Sequence, residues 1–353
     1  MSEVSAFLPW QQEQAGAWLS ARDRFAHAWL IHGLAGIGKR QFALAAAASL
    51  LCESPKNGLA CGQCAACKWV ASGNHPDLRR IRPDAIALEE GVEAAEETEA
   101  GGAAGGAAAK KAPSKEIRVD QLRALSSWFN TATHRGGWRV AVLYPAQALN
   151  GISANALLKV LEEPPEHTVF LLVADAPDRL LPTLVSRCRR LPLAVPGVAD
   201  SVNWLAQQGV SVPDLWLAAA GGGPLLALQL AQGGDRACPD WLEQLITPLA
   251  QGQSPDIGAL ADVLEKQAAS IWIDNLQRLF VDLLLAASDA PVRYFPGLAK
   301  KTATTAQRAA LLNLAETCKW LAQQRAIAAH PLNAKLLTHS TLQRIVLACS
   351  PAR

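Results

Sequence analysis

At 353 residues, 50% hydrophobic and 18% charged, the chain is too long for one ordinary core and has the composition of a soluble globular protein of two or three domains. No apolar run reaches the length of a bilayer span, and Met1-Ser2-Glu3 does not begin a signal pattern, so we expect a cytoplasmic protein without membrane contact. The net charge of +2 is too small to indicate nucleic-acid binding by overall attraction, so any DNA contact would need a local basic patch.

The first feature with chemical meaning is a short apolar run at 28–32, followed by a glycine-rich loop and a helical pattern. Glycines in such a loop allow backbone N–H groups to point inward, and the positive end of the following helix adds to their attraction for phosphate. A lysine at the end of the loop supplies a mobile ammonium group. The candidate phosphate-binding residues are Gly33, Gly36, Gly38 and Lys39.

Position 40 departs from this pattern. A phosphate-binding loop usually places Ser or Thr there as a ligand for Mg²⁺, whereas this chain has Arg40. Loss of that hydroxyl weakens hydrolysis more than it weakens phosphate binding. The sequence therefore predicts a degenerate phosphate site. It leaves open whether ATP still binds there or the loop only caps a helix that we expect to reach about Leu51.

The eight cysteines divide into two groups. Four are closely spaced, as is typical of a metal site in a cytosolic protein: Cys52, Cys61, Cys64 and Cys67. Four thiolates can close a tetrahedral shell around Zn²⁺, which leaves no open position for catalysis. We therefore predict a structural zinc module at about 52–67, with four unrelated buried cysteines as the alternative. The scattered cysteines are interpreted as buried small residues: Cys188, Cys238, Cys318 and Cys349.

The segment after the cysteines changes character twice. Arg79, Arg80 and Arg82 lie in a short strand-like stretch that could face phosphate, although a solvated edge strand is the simpler interpretation. Residues 84–115 are then rich in Glu, Gly and Ala, and cannot bury enough apolar area to offset the entropy of ordering. We predict a flexible insertion without a chemical role there.

Strands and helices alternate after the insertion, which predicts a parallel α/β sheet. The predicted elements are a helix over 121–129 capped by Asp120, a strand over 140–143, a helix from Ser153 that ends before Pro164, a strand over 168–173, and a short helix ending at Ser186-Arg187-Cys188. After the first of these strands a P-loop ATPase would place an acidic pair to hold Mg²⁺. This chain has Tyr144-Pro145 instead.

The rest of the chain is helical by pattern and has no polar cluster. Glycines divide three short helices over 201–208, 212–220 and 225–232. Longer helices are predicted over 241–250, 257–266, 270–287, 306–327 and 333–349, with Trp272, Trp320 and Leu321 in their core. The fold class is therefore α/β followed by all-α.

Taken together, residues 155–165, the Ser186-Arg187-Cys188 end, the phosphate loop and the four-cysteine insertion resemble the bacterial DNA polymerase III clamp loaders, a family of AAA+ ATPases. The resemblance covers residues 20–195 apart from the flexible insertion and, more loosely, the helical remainder. It implies an AAA+ P-loop domain over 1–195, a small helical lid domain over 196–237 and a C-terminal helical collar domain over 238–353.

Within that family the chain is similar to the member that does not hydrolyse ATP. It departs from the motor subunits at the following positions: Arg40, Tyr144, Pro145, Ala174 and Leu225. The resemblance implies that Arg187 acts as an arginine finger, which reaches the γ-phosphate of ATP in an adjacent motor subunit. It also implies the partners of DNA polymerase III: the gamma and tau motor subunits, the delta subunit, the sliding clamp and primed DNA.

Two other functions are open to the sequence. A self-sufficient DNA-dependent ATPase would bind nucleotide through Lys39 and hold its metal with another carboxylate such as Glu162. A zinc-dependent DNA-binding module would use the cysteine group together with the basic residues of 79–82. For Arg187 the alternative is a surface ion pair with a local carboxylate such as Asp178.

Overall fold

The computed structural model describes residues 5–91, 113–129, 131–134, 136–234, 236–327 and 334–350. The chain divides into two compact units, Met1–Val195 and Pro196–Arg353, and each is described separately. Among the described residues, none of the helices combines the length and the apolar character needed to cross a bilayer.

The described part of the first unit is built on a five-stranded parallel sheet with the order β2-β3-β4-β1-β5. The strands are β1 (Ala28–His32), β2 (Leu78–Ile81), β3 (Arg139–Leu143), β4 (Thr168–Ala174) and β5 (Arg189–Pro192). Every residue of β3 and β4 is buried, as the unbroken apolar runs predicted. The predicted parallel α/β sheet is confirmed.

Helices cover both faces of this sheet. They are α1 (Gln12–Ser20), α2 (Lys39–Leu51), α3 (Ala65–Ser72), α4 (Asp84–Glu89), α5 (Val119–Phe129), α6 (Gly151–Glu162) and α7 (Pro182–Ser186). Successive strand residues point to opposite faces, so Leu171 packs in the core that contains Phe42, while Leu172 packs in the core that contains Leu157. Two apolar layers therefore enclose the sheet.

The strand register brings three loops together at the carboxyl ends of the strands. His32 at the end of β1 pairs with Ala174 at the end of β4, and Leu143 at the end of β3 pairs with Leu172. Because the strands are parallel, the residues that follow β1, β3 and β4 all leave the sheet at its carboxyl-terminal edge. Ligands bind at this edge in open α/β sheets.

Three predictions on the first unit need correction. The insertion predicted over 84–115 is ordered at its start, because residues 84–89 form α4 and the N–H of Ala85 donates to the carbonyl of Ser114 at 3.0 Å. Residues 92–112 lie outside the described residues. Helix α5 begins at Val119, so Asp120 lies in its first turn and does not cap it. Helix α6 begins two residues before Ser153, and Asn150 caps it by accepting from the N–H of Ser153 at 2.9 Å.

The described part of the second unit is all helical. Its helices are α8 (Val198–Gln207), α9 (Pro213–Ala219), α10 (Pro224–Gly233), α11 (Asp240–Gln251), α12 (Ile257–Leu264), α13 (Ala269–Ala287), α14 (Ala299–Arg308), α15 (Leu311–Ile327) and α16 (Ala334–Ala348). The helix predicted over 306–327 is wrong, since the chain turns at Ala309, which has extended backbone angles. No proline or glycine marks this turn, so tertiary packing overrides local helix propensity there.

The core of the second unit contains Trp272 and Leu321, as predicted, whereas Trp320 is only half buried and lies under the guanidinium of Arg344. Asp282 on α13 is fully buried. Its carboxylate accepts from the backbone N–H groups of residues 293, 294 and 295, with the shortest distance to each between 2.7 and 3.0 Å. This side chain thereby fixes the segment that leads to α14.

Candidate functional site

The glycine-rich loop joins β1 to α2, and two side chains near the N-terminus donate hydrogen bonds to its backbone. Gly36 and Gly38 have φ angles of 76° and 89°, a left-handed conformation that favours glycine. The side-chain amide of Gln11 donates to the carbonyls of Ile37 and Gly38 at 3.0 and 2.9 Å, and the indole of Trp10 donates to Ile37 at 3.0 Å. The loop predicted from the sequence is therefore present and braced.

Lys39 is directed into the loop, and its side chain is only 3% exposed. Its ammonium group donates to the carbonyl of Gly33 at 2.9 Å and to the carbonyl of Leu34. It also forms an ion pair of 2.5 Å with Asp175, the first residue after β4. The ammonium group of Lys39, which would bind phosphate, is thus already bound to oxygen atoms of the protein, and a nucleotide would have to displace them.

The two residues that replace the usual magnesium ligands lie against each other. The guanidinium of Arg40 is 5.4 Å from the ring centroid of Tyr144, and both contact Glu90. The Tyr144 hydroxyl donates to the Glu90 carboxylate at 2.8 Å, and the guanidinium of Arg40 forms an ion pair with the same carboxylate at 3.3 Å. Arg82 forms a third contact, an ion pair of 2.8 Å between two nearly buried side chains. We name Arg40, Arg82, Glu90 and Tyr144 the Glu90 cluster.

The Glu90 cluster gives the start of the predicted insertion a structural role. Glu90 belongs to the segment that the composition marked as flexible, yet its carboxylate is 11% exposed and neutralises two arginines. Burial raises the pKa of Tyr144 above its usual range, so the phenol remains a neutral hydrogen-bond donor. The carboxylate is engaged by the protein itself and is not presented to Mg²⁺.

His32 ends β1 directly before the glycine-rich loop. Burial lowers its pKa from 6.5, and the positive charges of Arg190 and Lys39 lower it further. The imidazole is therefore neutral near pH 7. A second positive charge at this position would repel the ammonium group of Lys39.

The four clustered cysteines converge as predicted. Their sulfur atoms all lie within 4.8 Å of one another, so this group could hold a metal ion. Cys52 follows the last residue of α2, Cys64 precedes α3, and Cys67 lies in the first turn of α3. The sequence segment between the two helices is short, and the start of α3 directs the thiols of Cys64 and Cys67 toward those of Cys52 and Cys61.

The thiols of this group differ in acidity. The backbone N–H groups of Gln63 and Cys64 donate to the sulfur of Cys61 and lower its pKa to about 6. Burial raises the pKa of Cys52 and Cys67. A bound cation would reverse that effect and displace the remaining protons, so the affinity of this group for a metal ion would rise with pH.

Burial also raises the pKa of each scattered cysteine, which keeps these thiols protonated. Two of them, Cys188 and Cys349, are buried, whereas Cys238 and Cys318 are half buried. The interpretation as buried small residues therefore holds fully for the first two.

Arg187 follows the last residue of α7 and lies at the surface with its side chain 35% exposed. Its Nη2 atom pairs with Glu162 Oε1 at 2.5 Å, and its Nη1 donates to the carbonyl of Thr183 at 3.0 Å. The local partner is thus Glu162, the last residue of α6, and not Asp178. Glu162 was the alternative metal ligand of the sequence analysis, but it is already paired.

The basic stretch at 79–82 belongs to β2 and the residue after it, at one edge of the sheet. Arg79 lies 5.0 Å from the ring centroid of Trp128, and Arg82 is buried in the Glu90 cluster. These two arginines contact their own unit, and β2 is an edge strand of the sheet, as predicted.

Sequence reasoning missed two members of the site. Asp175 directly follows a predicted buried strand, and the rule that strand ends carry site residues could have identified it. Glu90 gave no such signal, because its neighbours have the composition of a disordered segment.

A parallel sheet enclosed by helices, with a glycine-rich loop and a helix directly after β1, defines the first unit as an α/β domain with the strand–loop–helix arrangement of a P-loop. The family model described as DNA polymerase III, delta subunit, matches residues 16–196. The chain belongs to the family of DNA polymerase III delta′ subunits.

Curated relatives extend this comparison. The delta′ subunit of Pseudomonas aeruginosa is 42% identical over 234 residues, which are 65% of this chain and 62% of that protein. The Escherichia coli delta′ subunit is 32% identical over 261 residues, 73% of this chain and 70% of that protein. The Escherichia coli tau subunit is 32% identical over 170 residues, 48% of this chain and 22% of that protein. The chain is therefore also related to tau.

Proposed function

We propose that this chain is the non-hydrolysing subunit of the DNA polymerase III clamp loader, which supplies Arg187 to ATP bound by an adjacent motor subunit. It helps to load the sliding clamp on primed DNA. The observation that carries the proposal is a contrast between two sites. The ammonium group of Lys39 is bound to the protein's own oxygens in a side chain that is 3% exposed, whereas the side chain of Arg187, although it is paired with Glu162, is 35% exposed at the surface.

Hydrolysis at the chain's own loop would need a metal ion beside the phosphates and a group that orients water. Arg40 and Tyr144 stand where those ligands are usual, and Glu90 is held by both of them and by Arg82. Restoring a magnesium site would require breaking this cluster. The isolated chain is therefore not an ATPase in this proposal, and ATP binding is secondary to its function.

An arginine suits the role assigned to position 187. Its planar guanidinium presents several donors to phosphate oxygens and keeps its charge at all relevant pH values. An arginine supplied in trans accelerates phosphoryl transfer by about 10³ to 10⁵ because it stabilises charge in the transition state. Relationship to the tau subunit supports a motor subunit as the recipient.

The other partners follow from the same proposal: gamma and tau as motor subunits, the delta subunit, the sliding clamp and primed DNA. Residues 1–195 would form the AAA+ domain, 196–237 the lid and 238–353 the collar that joins the subunits. The family membership of the chain supports these assignments.

We also propose that the cysteine group holds a structural Zn²⁺. Sulfurs around a tetrahedral Zn²⁺ with a bond length of about 2.3 Å lie roughly 3.8 Å apart. The distances here are 3.9 Å between Cys52 and Cys64 and 4.0 Å between Cys61 and Cys67. Four cysteine ligands leave no open coordination position, so the ion would stabilise the connection between α2 and α3.

The test is ATP turnover in a clamp loader reconstituted with Arg187→Ala, with Arg179→Ala as the matched control at an exposed arginine of the same segment. We expect Arg187→Ala to lower turnover and clamp loading by about tenfold or more, and Arg179→Ala to leave both unchanged. Equal activity of the two variants would exclude the finger role. Turnover by the isolated chain that disappears in Lys39→Ala would instead favour a self-sufficient ATPase.

A further inference from the structure

Arg187 and Glu162 are brought together by two helix ends. Helix α6 ends at Glu162, helix α7 ends one residue before Arg187, and the two helices share one apolar core. Leu161 directly precedes Glu162, and Leu184 lies three residues before Arg187. Both leucines are only 1% exposed. The backbones that carry the ion pair are therefore fixed by packing, although the pair itself faces solvent.

The two contacts of Arg187 hold both terminal nitrogens of the guanidinium. Nη2 pairs with Glu162, and Nη1 donates to the carbonyl of Thr183. A guanidinium has five N–H donors, so these two contacts leave other donors for an incoming ligand. A long arginine side chain otherwise samples many rotamers, and ordering it at the moment of reaction is costly.

From this geometry we infer that Glu162 is a positioning residue for Arg187, an inference that rests on the proposed finger function. Glu162 holds the guanidinium in one orientation before the neighbouring nucleotide arrives. Both side chains are substantially exposed, 35% for Arg187 and 50% for Glu162, so the pair is weak enough to adjust when phosphate approaches. Preorganisation of this kind raises turnover because the charge is in place when the transition state forms.

The experiment compares Glu162→Ala with Glu163→Ala in the reconstituted clamp loader, since Glu163 is an exposed carboxylate at the next position. We expect Glu162→Ala to lower kcat for ATP by about three- to tenfold, with unchanged assembly and unchanged Tm, and Glu163→Ala to match the wild type. Glu162→Gln keeps a hydrogen-bond acceptor and should recover part of the loss.

A double variant separates positioning from other roles. Glu162→Ala should have no further effect on kcat when Arg187→Ala is already present, because both substitutions act on one group. An equal loss in both backgrounds, or a gain in turnover, would overturn the inference. If Arg187→Ala lowers turnover but Glu162→Ala does not, the inference fails while the proposed function stands.

A second measurement tests the ion pair in the isolated chain and needs no partner. Phenylglyoxal modifies accessible arginines, and peptide mass spectrometry gives the rate at each site. Glu162→Ala should accelerate modification of Arg187 severalfold and leave Arg179 unchanged. An unchanged rate at Arg187 would overturn the inference independently of the finger function.

Discussion

The Glu90 cluster makes a prediction about stability that the sequence alone would not suggest. Glu90→Gln removes the negative charge that neutralises Arg82 and Arg40. The pair with Arg82 joins side chains that are 9% and 11% exposed, whereas Arg40 is 46% exposed. Removing one partner of a fully buried pair costs about 3–5 kcal/mol, and an exposed pair contributes about 0–1 kcal/mol. Because glutamine still accepts from Tyr144, we expect a loss of roughly 2–3 kcal/mol in the free energy of unfolding of the first unit.

Glu89→Gln is the matched control, since Glu89 is an exposed carboxylate one residue earlier. Urea unfolding should be followed by hydrogen exchange in peptides from β2 and β3, which report the first unit specifically. Tyr144→Phe should destabilise the wild-type protein, but it should destabilise the Glu90→Gln variant much less, because the hydrogen bond from Tyr144 to residue 90 is already weakened there. A free energy for Glu90→Gln within 0.5 kcal/mol or so of the Glu89→Gln value would refute the reasoning, since surface substitutions stay within that range.

Three further predictions concern other parts of the chain. Purified protein should contain about one Zn²⁺ per chain, and Cys67→Ser should reduce this severalfold and lower the Tm; full metal content in that variant, by atomic emission, would be inconsistent with the proposed ligand set. The pKa of His32 is lowered from 6.5 in the folded chain, so the unfolded chain binds a proton at His32 more readily. The contribution of His32 to the free energy of unfolding is therefore fully present above about pH 6.5 and is lost as the pH drops below it. His32→Asn should flatten this dependence in urea unfolding at pH 7.5 and 5.0, and identical slopes would contradict the assignment. Asp282→Ala leaves three N–H groups without their buried acceptor, so it should destabilise the second unit by about 3–5 kcal/mol, against little change for the exposed Asp262→Ala; near-equal urea midpoints would count against this role.

The predicted elements succeeded where periodicity was strong. The buried runs in β3 and β4 and the helix that follows the glycine-rich loop were found within a few residues, because unbroken apolar stretches have few alternatives in a soluble domain. The cysteine group was found from spacing alone, since ligands two residues apart have limited freedom.

Predictions failed where nonlocal packing decided the outcome. Composition marked Glu90 as part of a flexible insertion, but the chain returns it to Arg82 and Tyr144 at the edge of the sheet. The turn at Ala309 has no local breaker and follows from how α14 and α15 pack on α13. Local propensity contains no information about such distant partners.

The sequence by itself determined the alternation of strands and helices, the glycine-rich loop, the four clustered cysteines, and the presence of Arg and Tyr at positions 40 and 144, because each depends on residue type at short spacing. Only the tertiary structure decided what those residues contact. It paired Lys39 with Asp175 and Arg187 with Glu162, over separations of 136 and 25 residues along the chain. Electrostatic pairing depends on distance in space, and folding sets that distance.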